Sequence, residues 1–137
     1  MRRFAFLICL LLATGCAEKS PTGPTVPLDE RFTLAPRQIA AIEGADVRVL
    51  FVGVTGDSRC PGDAICIQGG DAIVHVRIAV GDGSGSPFEL HTGDESRAEV
   101  SSAGVRVRLE ELQPYPFSSL GPIQQAEYRA TLRVTRP

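Results

Sequence analysis

The chain predicts an all-β fold: an antiparallel β-sandwich, immunoglobulin-like or small-barrel-like, of about seven short strands with one disulfide. Three observations lead there. Apolar and polar residues alternate with period 2 in several runs, glycine-rich turn signals separate those runs at close intervals, and no window carries a helical stripe of useful length. The 137 residues are 43% hydrophobic and 22% charged, which fits one globular domain and excludes collagen, coiled coil and wholesale disorder. With 14 basic against 16 acidic side chains the formal charge is −2, so no net positive field draws nucleic acid, and no nucleic-acid partner is expected.

The first element is a leader. Arg2 and Arg3 precede the apolar run Phe4 to Leu12, and Ala13, Thr14 and Gly15 lead into Cys16, the order of regions in a signal peptide. The run is about half of the ~20 residues that a spanning helix needs. Leu12-Ala13-Thr14-Gly15-Cys16 resembles the lipobox of bacterial lipoproteins, with Ala13 where the commonest form has leucine. The resemblance implies a signal peptide over 1–15, lipidation of Cys16 and a membrane partner reached through that lipid. It places the protein in the periplasm or cell envelope. Ala17 rather than aspartate after the cysteine is compatible with the outer membrane, on its periplasmic face. Without Arg2 and Arg3 the mature chain has 12 basic against 16 acidic groups, about −4.

Residues 16–30 hold Pro21, Pro24 and Pro27 and only Val26 and Leu28 as sizeable aliphatics, a composition that predicts an extended tether. The sandwich is then expected over 31–137. Val74, Val76, Ile78 and Val80 alternate with Ile73, His75, Arg77 and Ala79; Val105, Val107 and Leu109 with Arg106, Arg108 and Glu110; Tyr128, Ala130, Leu132 and Val134 with Arg129, Thr131, Arg133 and Thr135. Val47 to Val54 is apolar on both faces apart from Arg48 and Gly53, as a central strand would be. Shorter candidates are Phe32–Leu34, Gln38–Glu43, Pro87–His91 and Arg97–Val100. One helical turn is expected near Leu112 or Ile123.

Cys9 falls in the leader and Cys16 under lipid. Cys60 and Cys66 remain, in an oxidising compartment, where so close a pair reads as a disulfide. They sit in the densest block of the chain, Val54 to Ala72. Its Asp57-Ser58-Arg59-Cys60-Pro61, four residues, Cys66, then Gly70 and Ala72 resemble a block of a family of small uncharacterised bacterial lipoproteins and secreted proteins. Gln68 stands where that block has tryptophan. The resemblance extends loosely through Pro114-Tyr115-Pro116 and Tyr128-Arg129-Ala130, and it implies location and fold rather than a chemistry.

Asp57, Arg59, Asp63 and Asp71 make this block the candidate interaction loop. The bland alternative is a stapled corner in which Asp57 caps nearby amides and Arg59 pairs with an aspartate. As a displayed loop it suits an envelope partner, so that Arg59→Ala leaves stability within ~0.5 kcal/mol; a small periplasmic protease inhibitor presenting Arg59 beside Cys60 and Pro61 is a second reading. A calcium-dependent module needs the three aspartates to face one point, and zinc would need Cys60, Cys66 and His75. Neither spacing fits a known loop, so no metal and no cofactor are expected.

No catalytic residue stands out, and the chain is expected not to be an enzyme. There is no G-x-S-x-G, H-E-x-x-H or phosphate-cradling glycine loop. His75 and His91 read as surface histidines, and Glu110-Glu111 as a solvated pair. Arg77, Arg106, Arg108, Arg129 and Arg133 share the outward phase, so they form a basic stripe or pair across strands with Glu99, Glu110 and Glu127. Pro114-Tyr115-Pro116-Phe117 either exposes its aromatics or folds them over the end of the sandwich.

Overall fold

Period-2 alternation delivers one apolar face per strand, and two such faces stacked together make the core. A computed structural model describes residues 22–137; the signal peptide expected over 1–15 and the lipidation expected at Cys16 lie outside the described residues. Among the described residues nine strands form: β1 Thr22–Val26, β2 Arg31–Leu34, β3 Ile39–Ile42, β4 Val47–Asp57, β5 Ala72–Val80, β6 Ser86–His91, β7 Glu99–Ser102, β8 Val105–Gln113 and β9 Arg129–Thr135. One sheet has the order β1-β3-β4-β5-β6 and the other β2-β9-β8-β7. Val49, Phe51, Val74, Val76 and Leu90 of the first sheet are fully buried, as are Leu34, Val107, Leu132 and Val134 of the second. The fold is an all-β sandwich in which every pairing is antiparallel except β1 with β3.

That exception corrects the boundary of the tether. Thr22–Val26 falls inside the segment 16–30 expected to be extended linker, yet it pairs with β3, Thr22 opposite Ile39 and Val26 opposite Ile42. Val26 is buried in the core and Leu28 packs against it. Two aliphatics suffice because β3 offers a ready edge. The close approach also needs glycine, since a Cβ at Gly23 would stand 2.1 Å from the Ile39 carbonyl oxygen.

Two further expectations shift. The strand expected over Arg97–Val100 starts later, at Glu99, because Asp94 accepts from the Ser96 amide at 3.0 Å and closes a 3-10 turn over Glu95–Arg97. Leu112 lies in β8 rather than in a helical turn; the other 3-10 turns are Ser118–Leu120 and Gln125–Glu127, on either side of Ile123. β7 and β8 are joined by Ala103-Gly104, both at positive φ (52° and 73°), the backbone of a two-residue type I′ hairpin.

The strand directions sort the connections to two ends. β4, β6 and β8 finish, and β5 and β9 begin, at one end, which therefore holds residues 58–71, 92–98 and 114–128. The other end carries the short turns at 43–46, 81–85 and 103–104.

Candidate functional site

The disulfide block occupies the end with the long loops. β4 leaves the sheet at Asp57 and β5 returns at Ala72, its register partner. Between them Cys60 and Cys66 are joined, Cα atoms 6.0 Å apart, which closes a loop whose cross-link contributes roughly 2 kcal/mol on the chain-entropy model. Gly70 lets the two limbs touch: a Cβ there would stand 1.4 Å from the Ser58 carbonyl oxygen.

Arg59 is the hub, and it corrects the expectation of a displayed residue. It is 8% exposed. Its Nε donates to Asp57 Oδ1 at 2.8 Å and its Nη2 to Oδ2 at 2.6 Å. Nη1 donates to the Leu112 carbonyl at 2.7 Å and Nη2 also to that of Pro114 at 3.0 Å. The guanidinium carbon lies 5.4 Å from the centre of the Tyr115 ring, within cation–π reach. Tyr128 completes the cluster by donating its hydroxyl to Asp57 Oδ2 at 3.0 Å. Burial pushes the Asp57 carboxyl up, but the hydrogen bonds and charge of Arg59, and then Tyr128, outweigh it and hold Asp57 below its ordinary value. Burial, reinforced by Asp57, pushes the Tyr128 hydroxyl up to about 12. Arg59 thus ties the disulfide loop to the end of β8.

The other two aspartates are also spent on their surroundings. Asp63 accepts from the backbone amides of Ser118 and Ser119 at 2.7 and 3.0 Å, and these bonds hold its carboxyl below the ordinary value. Gly62 donates to the Pro116 carbonyl at 2.9 Å and lies under the Phe117 ring. Asp71 binds His91 Nδ1 and accepts from the Gly93 amide at 2.8 Å; burial pushes its carboxyl up, but Gly93 and His91 carry it below the ordinary value. The three carboxylates do not face one point, as the calcium alternative required. Among the described residues no group of three or more His, Cys, Asp or Glu could hold a metal ion. With Cys60 and Cys66 joined and His75 hydrogen-bonded to Thr55 Oγ1 at 2.6 Å, the zinc set does not assemble either.

His91 is the second correction. Expected at the surface, it is 4% exposed, and its Nε2 has no partner. It stands opposite Ile73 at the end of β6, where Asp71 holds its Nδ1 and it shares a small cavity with Thr92, Glu95, Ala98 and Arg108 to Glu111. Two of the arginines form cross-strand pairs, Arg106 with Glu99 and Arg133 with Glu110, each at 3.1 Å, whereas Arg108 pairs with Glu95 of the 3-10 turn and Arg129 donates to the Ala126 and Tyr128 carbonyls. Arg77 is on the opposite sheet, and Glu127 instead accepts from the Gln124 amide.

Among the exposed side chains of this end are several large apolar ones. Ile65 and Ile67, on either side of Cys66, are 103% and 105% exposed, and Leu120 is 80% exposed. Tyr115 and Phe117 are half-exposed, each with one face on Arg59 or Gly62. Neither isoleucine was singled out by the sequence pattern, although full exposure of two large aliphatics in one fastened loop is the least expected feature of this surface. Beside them a cleft of about 350 Å³ is lined by Arg59, Cys60, Gly70, Thr92, Leu112 and Tyr115. The chain matches no protein-family model, no curated protein and no solved structure.

Proposed function

We propose that this chain is a lipid-anchored protein of the bacterial envelope, held through Cys16, and that it works as a binding or structural accessory module rather than as an enzyme. Its contact surface is the long-loop end. The observation that carries this reading is the pair Ile65 and Ile67, fully exposed on a loop that a disulfide, the Arg59–Asp57 pair and the Asp63 carboxylate fasten to the sandwich. Fastening lowers the ordering cost of association. The inhibitor alternative asks for Arg59 at the tip of the loop, and Arg59 is buried beneath it.

Two measurements test the proposal. Intact mass of the membrane-extracted protein is expected to show a diacylglyceryl modification on Cys16, with Cys60 and Cys66 alkylated only after reduction; an unmodified Cys16 refutes the anchor. A photo-reactive residue at position 67, compared with one at Ser84 in an opposite-end turn, is expected to give adducts in intact cells from position 67 alone. Equal labelling, or none, refutes the contact surface.

A further inference from the structure

We propose that the outer face of the five-stranded sheet binds a small amphipathic anion, with its carboxylate or phosphate group between Arg48 and Arg77 and its apolar part laid over Leu50 and Val52. The proposal stands apart from the membrane anchor and from the long-loop surface.

Register puts the two arginines together. Arg48 pairs with Ala79 and Leu50 with Arg77, so Arg48 of β4 and Arg77 of β5 are diagonal neighbours on one face, at a spacing of about 7 Å that long side chains bridge. The turn at 81–85 folds back over that face. Arg48 Nη2 donates to the Gly83 carbonyl and Arg77 Nη2 to that of Gly85, each at 3.3 Å. A Cβ at Gly85 would stand 2.9 Å from the Ile78 carbonyl oxygen, so the turn lies directly on β5. Both arginines line one cavity of about 180 Å³, together with Ile39, Leu50 and Ala79.

Their charge is uncompensated. Among the described residues no carboxylate pairs with either arginine, whereas Arg59, Arg97, Arg106, Arg108 and Arg133 each have one. Glu89, on the same face, stands opposite His75 and within 3.9 Å of it and of Arg97. The Nε of both Arg48 and Arg77 is buried without an acceptor, a state in which folded proteins leave few polar groups. Each guanidinium thus spends one nitrogen on the fold. Two like charges at this spacing repel; one oxyanion between them removes the repulsion and accepts from the Nη1 atoms, the geometry in which arginine binds carboxylate and phosphate most strongly.

The apolar half continues on the other side of Arg77, which also borders a cavity of about 490 Å³ lined by Val52, Thr55, Pro87 and Gln125. Together the two cavities have the size of a small-molecule site. The ligand also accounts for a β4 that is apolar on both faces: Val49 and Phe51 fill the core, whereas Leu50 and Val52 are turned away from the second sheet and Val52 is 43% exposed.

Isothermal titration of the purified full-length protein with hexanoate, hexyl phosphate, hexanol and inorganic phosphate tests the site. The double variant Arg48→Gln with Arg77→Gln, titrated in the same buffer, cancels any uptake of ligand by detergent. Hexanoate or hexyl phosphate is expected to bind the parent at least tenfold more tightly than hexanol or inorganic phosphate, to lose at least tenfold in the double variant, and to weaken as salt rises. Preference between the two anions identifies the head group as carboxylate or phosphate. The urea midpoint checks that the variant folds. Hydrogen exchange on the parent needs no variant, and the bound anion is expected to slow it over 81–85 and leave 58–71 unchanged. Anion binding equal in parent and folded double variant, hexanol as tight as the anions, no binding, or no slowing over 81–85 overturns the site. Inorganic phosphate as tight as hexyl phosphate overturns its apolar half. A ligand of this size forms no protein-sized adduct with a residue at position 84, so this face and the contact made at position 67 are read separately.

Discussion

Arg59→Met is expected to destabilise the fold rather than blunt a surface. The side chain leaves four hydrogen bonds behind, two on Asp57 and one each on the Leu112 and Pro114 carbonyls. The Asp57 side chain is only 11% exposed, so its charge would remain in place with the Tyr128 hydroxyl and one backbone amide as donors. Removing one partner of a buried ion pair costs about 3–5 kcal/mol. For a domain of this size that corresponds to a fall in Tm of roughly 15–20 °C. Urea unfolding followed by far-UV circular dichroism measures it, with the disulfide intact throughout. The double variant Arg59→Met with Asp57→Leu removes the stranded carboxylate and is expected to recover at least 1 kcal/mol of the loss. A single-variant loss below 1 kcal/mol refutes the hub and restores Arg59 as a residue the loop could release to a partner.

Removing the disulfide with Cys60→Ser and Cys66→Ser is expected to cost roughly 2 kcal/mol, read from the urea midpoint. Asp57 and Asp71 have folded values below the ordinary 3.8, so the stability they add is complete above that pH and is lost as pH falls through their folded values; Tm should be level above about pH 5 and drop below pH 4, less steeply in Asp71→Asn. Ala103→Asn relieves an alanine at φ 52° in the β7–β8 turn and should raise stability by about 0.5–1 kcal/mol in the same urea assay. Gly70→Val sets a side chain against the Ser58 carbonyl and should prevent the two loop limbs from closing, seen as loss of the native disulfide in non-reducing peptide maps.

The sandwich was legible because alternation is local. Val74 to Ile78, Val105 to Leu109 and Tyr128 to Val134 each declare one face within a few residues, and those faces are the ones buried, while Val80, in phase with the first, is exposed at the end of β5. β1 was not legible, since Thr22–Val26 has a linker's composition and becomes a strand only because β3 lends it an edge. The late start of β7 depends on one Asp94 cap, a signal too short for periodicity to register.

The loop end was legible as a place and misread as a surface. Charged residues clustered around two cysteines mark an interaction loop as readily as a self-contained corner, and the difference is set by chain more than 50 residues away. Leu112 and Pro114 supply the carbonyls that draw Arg59 inward, and Ser118 and Ser119 supply the amides that take up Asp63. With Arg59 turned toward the sandwich and Asp63 held by the Ser118 and Ser119 amides, the large side chains that face outward beside Cys66 are Ile65 and Ile67, with Ala64 and Gln68 on their flanks. Burial of Arg59 and exposure of Ile65 and Ile67 on the loop it fastens are one arrangement. Breaking Arg59 from Asp57 should therefore disturb contact at this surface and stability together, whereas Ile67→Ser should weaken the contact, read as loss of photo-adducts from a reactive residue at position 65 in intact cells, and leave the urea midpoint unchanged.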